Sequence, residues 1–150
     1  MNEKPKADTQ IMASSTIESP KTDPPEASFP IIGIGASAGG LEALQLFLEN
    51  VPEKSGMAFV VVQHLDPTHK GFFVDLLKRV TSMQVFQAKD SISVQPDCVY
   101  IIPPNKDLQL IHGALHLFGP AAPRGLGLPI DFLFRSMADD RQEQAIGVIL

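Results

Sequence analysis

The sequence predicts an α/β fold: a doubly wound, mostly parallel sheet with helices on both faces and an antiparallel hairpin. Three observations carry this. Residues 57–62 are an apolar run of strand length without polar alternation, the pattern of a strand covered on both faces, and 145–150 are a second fully apolar strand, expected to leave a face of the sheet uncovered. Segments with helical spacing separate such runs, as in crossover units. Two short apolar stretches flank His112-Gly113, which reads as a hairpin turn.

In chain order, residues 30–35 form the first predicted strand. A glycine-rich turn follows, and then a helix over 41–50 with Leu41, Leu44, Leu48 and Val51 on one face. Residues 57–62 are the second strand. Asp66-Pro67 is a helix start, because the carboxylate caps free N–H groups and proline fits the first helical position. That helix carries Phe72, Phe73, Leu76, Leu77 and Val80. Strands are expected at 83–88 and 98–102, then the hairpin strands 108–111 and 114–117. Pro129 opens a further helix with Ile130, Leu133, Phe134 and Met137 on one side and Asp131 in its first turn. Residues 145–150 form the last strand.

Residues 1–28 contrast with all of this. They hold four prolines, many polar residues and no aromatic side chain, so they are expected to be a disordered leader before a domain over 29–150. The 150 residues are 44% hydrophobic and 19% charged, enough for one domain with a core. A net charge of −5 gives nucleic acid no basic footprint. The single cysteine, Cys98, excludes an internal disulfide framework. With neither a membrane-length apolar run nor a secretory h-region, the expected location is cytoplasmic.

The chemistry concentrates where the first strand meets its helix. Gly35-x-Ser37-x-Gly39 puts a serine at a strand-to-helix turn between small residues, while Gly33-x-Gly35-x-x-Ala38 is an allowed form of a dinucleotide-binding fingerprint. The second strand ends in Gln63-His64, whereas a dinucleotide site wants an acid there to bind ribose. Asp66 reads as a helix cap instead. A serine hydroxyl needs a nearby imidazole to take its proton, and His64 would supply it if the two strands are neighbours. The Ala38 N–H would help hold an oxyanion at the helix N-terminus. Ser37 could also be only a helix cap, and His64 only a satisfied interior histidine. His69 could touch substrate or solvent; His112 and His116 read as exposed structural residues. The four histidines lack the spacing of a metal site. No acid in the chain offers itself as the third member of a triad.

The stretches Ile32-Gly33-Ile34-Gly35-Ala36-Ser37-Ala38-Gly39-Gly40-Leu41-Glu42-Ala43, Val61-Val62-Gln63-His64-Leu65-Asp66-Pro67, Tyr100-Ile101-Ile102-Pro103-Pro104, Pro129-Ile130-Asp131-Phe132-Leu133-Phe134-Arg135-Ser136 and Ile146-Gly147-Val148-Ile149-Leu150 resemble, in that order, the catalytic domain of the chemotaxis protein-glutamate methylesterases (CheB). The resemblance implies a cytoplasmic serine esterase that removes methyl groups from glutamates of chemoreceptor helices, and in many members deamidates receptor glutamines. Ser37 then falls on the nucleophile and His64 on the general base and acid, with no cofactor and no metal. Ala38 stands where typical members carry threonine. It is similar instead to the subgroup fused to a receptor methyltransferase domain. In the family the triad aspartate follows the strand that is here 146–150, so the resemblance implies a domain incomplete at its C-terminus, lacking the third acid. Little activity is then expected of residues 1–150 alone. A nucleotide-dependent oxidoreductase and a non-catalytic receptor-docking module are the alternatives.

Overall fold

The computed structural model describes residues 28–37, 39–63, 71–120 and 127–150. The expected leader lies outside these apart from Ser28, whose hydroxyl donates to Gln144 Oε1 at 2.6 Å. Five parallel strands form the central sheet: β1 (Ile31–Ala36), β2 (Ala58–Gln63), β3 (Gln84–Gln87), β5 (Cys98–Ile101) and β8 (Ala145–Ile149), in the order β3-β5-β2-β1-β8. Three more make an antiparallel sheet, β4 (Ile92–Ser93), β6 (Asp107–Ile111) and β7 (Ala114–Phe118), in the order β4-β7-β6.

Helices cover both faces of the central sheet. On one, Leu133 and Met137 of α3 (Pro129–Arg141) pack with Ile31, Val60, Val62 and Tyr100, joined by Leu108, Leu110 and Leu115 of the small sheet. On the other, Leu44 and Leu48 of α1 (Leu41–Glu49) and Phe73 and Leu77 of α2 (Phe72–Lys78) pack on Ile32, Ile34, Phe59, Val61 and Ile101. Successive side chains of β1 and β2 therefore enter different cores, and each core is apolar. This is why their sequences show no polar alternation. A fully buried aliphatic side chain of this kind contributes roughly 1.5–3 kcal/mol relative to an exposed one.

Two elements of the structure, the two-residue strand β4 and the 3₁₀ turn Gln142–Gln144 that joins α3 to β8, were not expected from the sequence. The helix start expected at Asp66-Pro67 lies outside the described residues; within them, α2 begins at Phe72 after Gly71 in the left-handed region, φ 86°. The last strand was expected to leave a face uncovered, and in β8 Ile146 is 45% and Ile149 66% exposed. As the edge strand beside β1, β8 has a neighbour on one side only.

Cys98 and Tyr100 belong to the frame. Burial pushes the Cys98 thiol up, which leaves it protonated and inert. Burial likewise pushes the Tyr100 phenol up to about 12. Its oxygen accepts the Gln95 N–H at 2.9 Å, tying β5 to the segment after β4.

Candidate functional site

The turn leaving β1 is shaped by what packs beneath it. A Cβ on Gly33 would lie 2.7 Å from Met137 Sδ and 2.9 Å from Phe134 Cε1, and one on Gly35 would lie 2.7 Å from Ile130 Cδ1. Both glycines are thus spaces into which α3 fits. In a dinucleotide fold the second glycine lets the backbone approach a pyrophosphate; here Ile130 and Ile149 occupy that approach at Gly35. The glycine pattern serves helix-on-sheet packing, and the dinucleotide reading loses its basis.

Ser37 follows directly on β1 and is exposed. Its carbonyl accepts the Gly40 N–H at 2.9 Å, closing a tight turn, and the Gly40 carbonyl accepts the Leu44 N–H at 2.9 Å as α1 begins. The turn leaves no room at Gly40, where a Cβ would stand 2.9 Å from Ala36 Cβ, 3.1 Å from the Leu150 carbonyl and 3.3 Å from that of Ser37. The N-cap of α1 is Gly40, and no side chain caps it. Ser37 is therefore not held as a helix cap. The first amides of α1 point out of the helix end beside it, where they favour a negative group.

The neighbouring strand supplies the second half of the site. β1 and β2 run parallel in register, Ala36 opposite Gln63, so both end at one rim of the sheet. The carboxyl rim is where open α/β sheets bind ligands. The condition set by the sequence, that the strands preceding Ser37 and His64 be neighbours, is met. His64, Ala38 and His69 themselves lie outside the described residues. Gln63, quoted in the sequence only as part of a motif, is buried at 9% exposure. Its Nε2 lies 3.5 Å from the Ser37 carbonyl oxygen, and its Oε1 is buried without a hydrogen-bond partner among the described residues. The available signal in the sequence was a polar residue closing an otherwise apolar strand.

The remaining histidines stand away from this rim. His112 occupies the β6–β7 turn, and the Asp140 carboxylate of α3 accepts the N–H groups of His112 and Gly113. His116 Nδ1 lies 3.5 Å from Ser91 Oγ and 3.8 Å from Asp90 Oδ1. Serine, histidine and aspartate meet there, but both oxygens face the same ring nitrogen. A triad needs the serine and the acid on opposite nitrogens, so the cluster is a surface clip. Among the described residues, no group of three or more potential ligands could hold a metal ion. Among them also, no helix is long and apolar enough to cross a membrane.

Comparison with known proteins agrees with this architecture. The CheB methylesterase family model matches residues 32–150. A protein-glutamate methylesterase/protein-glutamine glutaminase of Escherichia coli O6:K15:H31 is 35% identical over 135 residues, which cover 87% of this chain and 38% of the relative. The protein of the same name from Yersinia pestis bv. Antiqua is 34% identical over 129 residues, 83% of this chain and 36% of the relative. A Leptospira interrogans relative is 28% identical, and the match spans 64% of its length. The chain thus spans between about a third and two thirds of the relatives it matches. The crystal structure of the Thermotoga maritima CheB methylesterase catalytic domain superimposes with a TM-score of 0.72 at 29% identity, over 81% of this chain and 67% of that one. The chain belongs to the CheB methylesterase family.

Proposed function

We propose that this domain hydrolyses methyl esters of glutamate side chains on chemoreceptor helices, with Ser37 as nucleophile and His64 as general base and then acid. The observation that carries the proposal is the exposed Ser37 at the end of β1, free of any capping role and next to the helix N-terminus of α1. Family membership and the names of the relatives support it.

In this mechanism the Ser37 hydroxyl oxygen attacks the ester carbonyl while His64 takes its proton. The oxyanion is held by the N–H of Ala38 and the positive end of α1. Collapse expels methoxide, which leaves as methanol with the proton from His64. Water then attacks the acyl–serine, His64 again removing a proton, and the glutamate carboxylate departs. A glutamine side chain would follow the same course with ammonia as the leaving group. The residues need no cofactor or metal for these steps.

The test is methanol release from methylated receptor, with the protein in excess so that slow turnover still registers. Release that Ser37→Ala abolishes supports the reading. Receptor binding without Ser37-dependent release would replace it with a docking module.

A further inference from the structure

We infer that Gln63 is a positioning residue for the nucleophile: its side-chain amide clamps the Ser37 carbonyl and fixes the turn on which the serine stands. Its effect on rate rests on the esterase reading above; the clamp itself rests on geometry alone.

β2 reads Ala-Phe-Val-Val-Val-Gln, and every residue of it is buried. Burying an amide at the end of such a strand is costly unless hydrogen bonds replace the lost water. An amide retained for stability alone would be satisfied at both ends. This one is satisfied at a single end, Nε2 on the Ser37 carbonyl at 3.5 Å, while Oε1 is left buried without a partner among the described residues. A carbonyl can only accept, so the NH₂ group must face Ser37 and the oxygen must take the unfavourable place. The polar cost is borne at the side of the amide away from the serine.

What the contact does there follows from the turn. The Ser37 carbonyl already receives the Gly40 N–H at 2.9 Å from the α1 side. Gln63 approaches from β2, which is in register with β1 up to the pair Ala36 and Gln63. One donor therefore comes from the helix and the other from the neighbouring strand. Held between them, Ser37 is hindered from rocking about its ψ bond as it leaves the sheet. A nucleophile displaced by about 1 Å can lose on the order of 100-fold in rate, so a restraint on this carbonyl is a restraint on reactivity.

Two substitutions separate the clamp from a packing role. Gln63→Met keeps the length and removes both polar atoms. Gln63→Glu keeps the shape and donates only when its carboxyl is protonated. The readouts are the Ser37 carbonyl ¹³C shift in labelled protein, the thermal midpoint, and the kcat and KM of Ser37-dependent methanol release. For Gln63→Met the expected result is a displaced ¹³C shift, a thermal midpoint unchanged or higher because the unpartnered oxygen is gone, and a kcat about tenfold lower with KM little changed. For Gln63→Glu the Ser37 shift moves toward the wild-type value at acid pH and away from it at alkaline pH. Any other pH-dependent change is common to all three proteins, so the excess over wild type and Gln63→Met is the signal. An unchanged Ser37 shift in Gln63→Met, or in Gln63→Glu across pH, overturns the clamp. So does a lowered thermal midpoint with kcat intact. If the shifts behave as expected but wild-type protein shows no Ser37-dependent release, the clamp stands and the esterase reading falls.

Discussion

Two turns in this fold solve the same problem in opposite ways. The β6–β7 hairpin turns through His112 and Gly113, both at positive φ, 48° and 74°. Its two N–H groups are taken by the two oxygens of Asp140, and Arg141 Nε lies 3.2 Å from the same carboxylate. Among the described residues no side chain stands over the amides of the β1–α1 turn, and α1 starts without a side-chain cap. There the chain restrains a carbonyl instead, that of Ser37, from Gly40 and Gln63. A turn whose donors are consumed by a carboxylate serves stability. A turn whose acceptor is held and whose donors stay open is arranged for an incoming negative charge.

The contrast can be broken at several points. Replacing Ser37 by Ala should reduce methanol release by more than about 10³-fold and leave the thermal midpoint unchanged, since the exposed hydroxyl makes no hydrogen bond among the described residues. Asp140→Ala should do the reverse. It strips the acceptor from two turn N–H groups and should cost about 1–3 kcal/mol of stability, seen in denaturant melts, with the Ser37-dependent rate unaffected in the folded protein. Gly40→Ala should lower the rate about tenfold, because its methyl group meets Ala36 Cβ and two backbone oxygens and must shift the turn. Gly39→Ala is its control, with nothing within 4 Å of the added atom.

The smallest effect belongs to the surface clip. Asp90 Oδ1 accepts the Leu117 N–H at 2.9 Å, and this bond chiefly holds its carboxyl below the usual range. A folded-state value below the unfolded one means stabilisation present above about pH 4 and lost as pH falls through the folded value. Asp90→Asn should therefore lower the thermal midpoint slightly near neutral pH and not in acid beyond that range.

Much of this was legible in the sequence, for physical reasons. The inner parallel strands β1, β2 and β5 announced themselves because they are sandwiched between two apolar cores, and His112-Gly113 because few residue pairs accept two positive φ values. The serine turn was legible too, although its glycines were ambiguous until Met137, Phe134 and Ile130 were seen to fill the space above them. Other features depend on tertiary placement. β4 is two residues paired with β7, too short to leave a pattern. The apolar run 145–150 marks β8 as a strand, but its place at the sheet edge beside β1 is set by strand order, which the run does not encode. Gln63 was visible only as a polar strand end, because what its amide faces is decided by the register of β2 against β1.

The most direct test of the central claim is to catch the acyl–enzyme. Protein mixed with a methylated receptor segment, quenched in acid and digested, should yield a peptide containing Ser37 heavier by the mass of the receptor segment less methanol. The adduct should be missing from Ser37→Ala. An adduct on another residue, or methanol released with none on Ser37, would contradict the account.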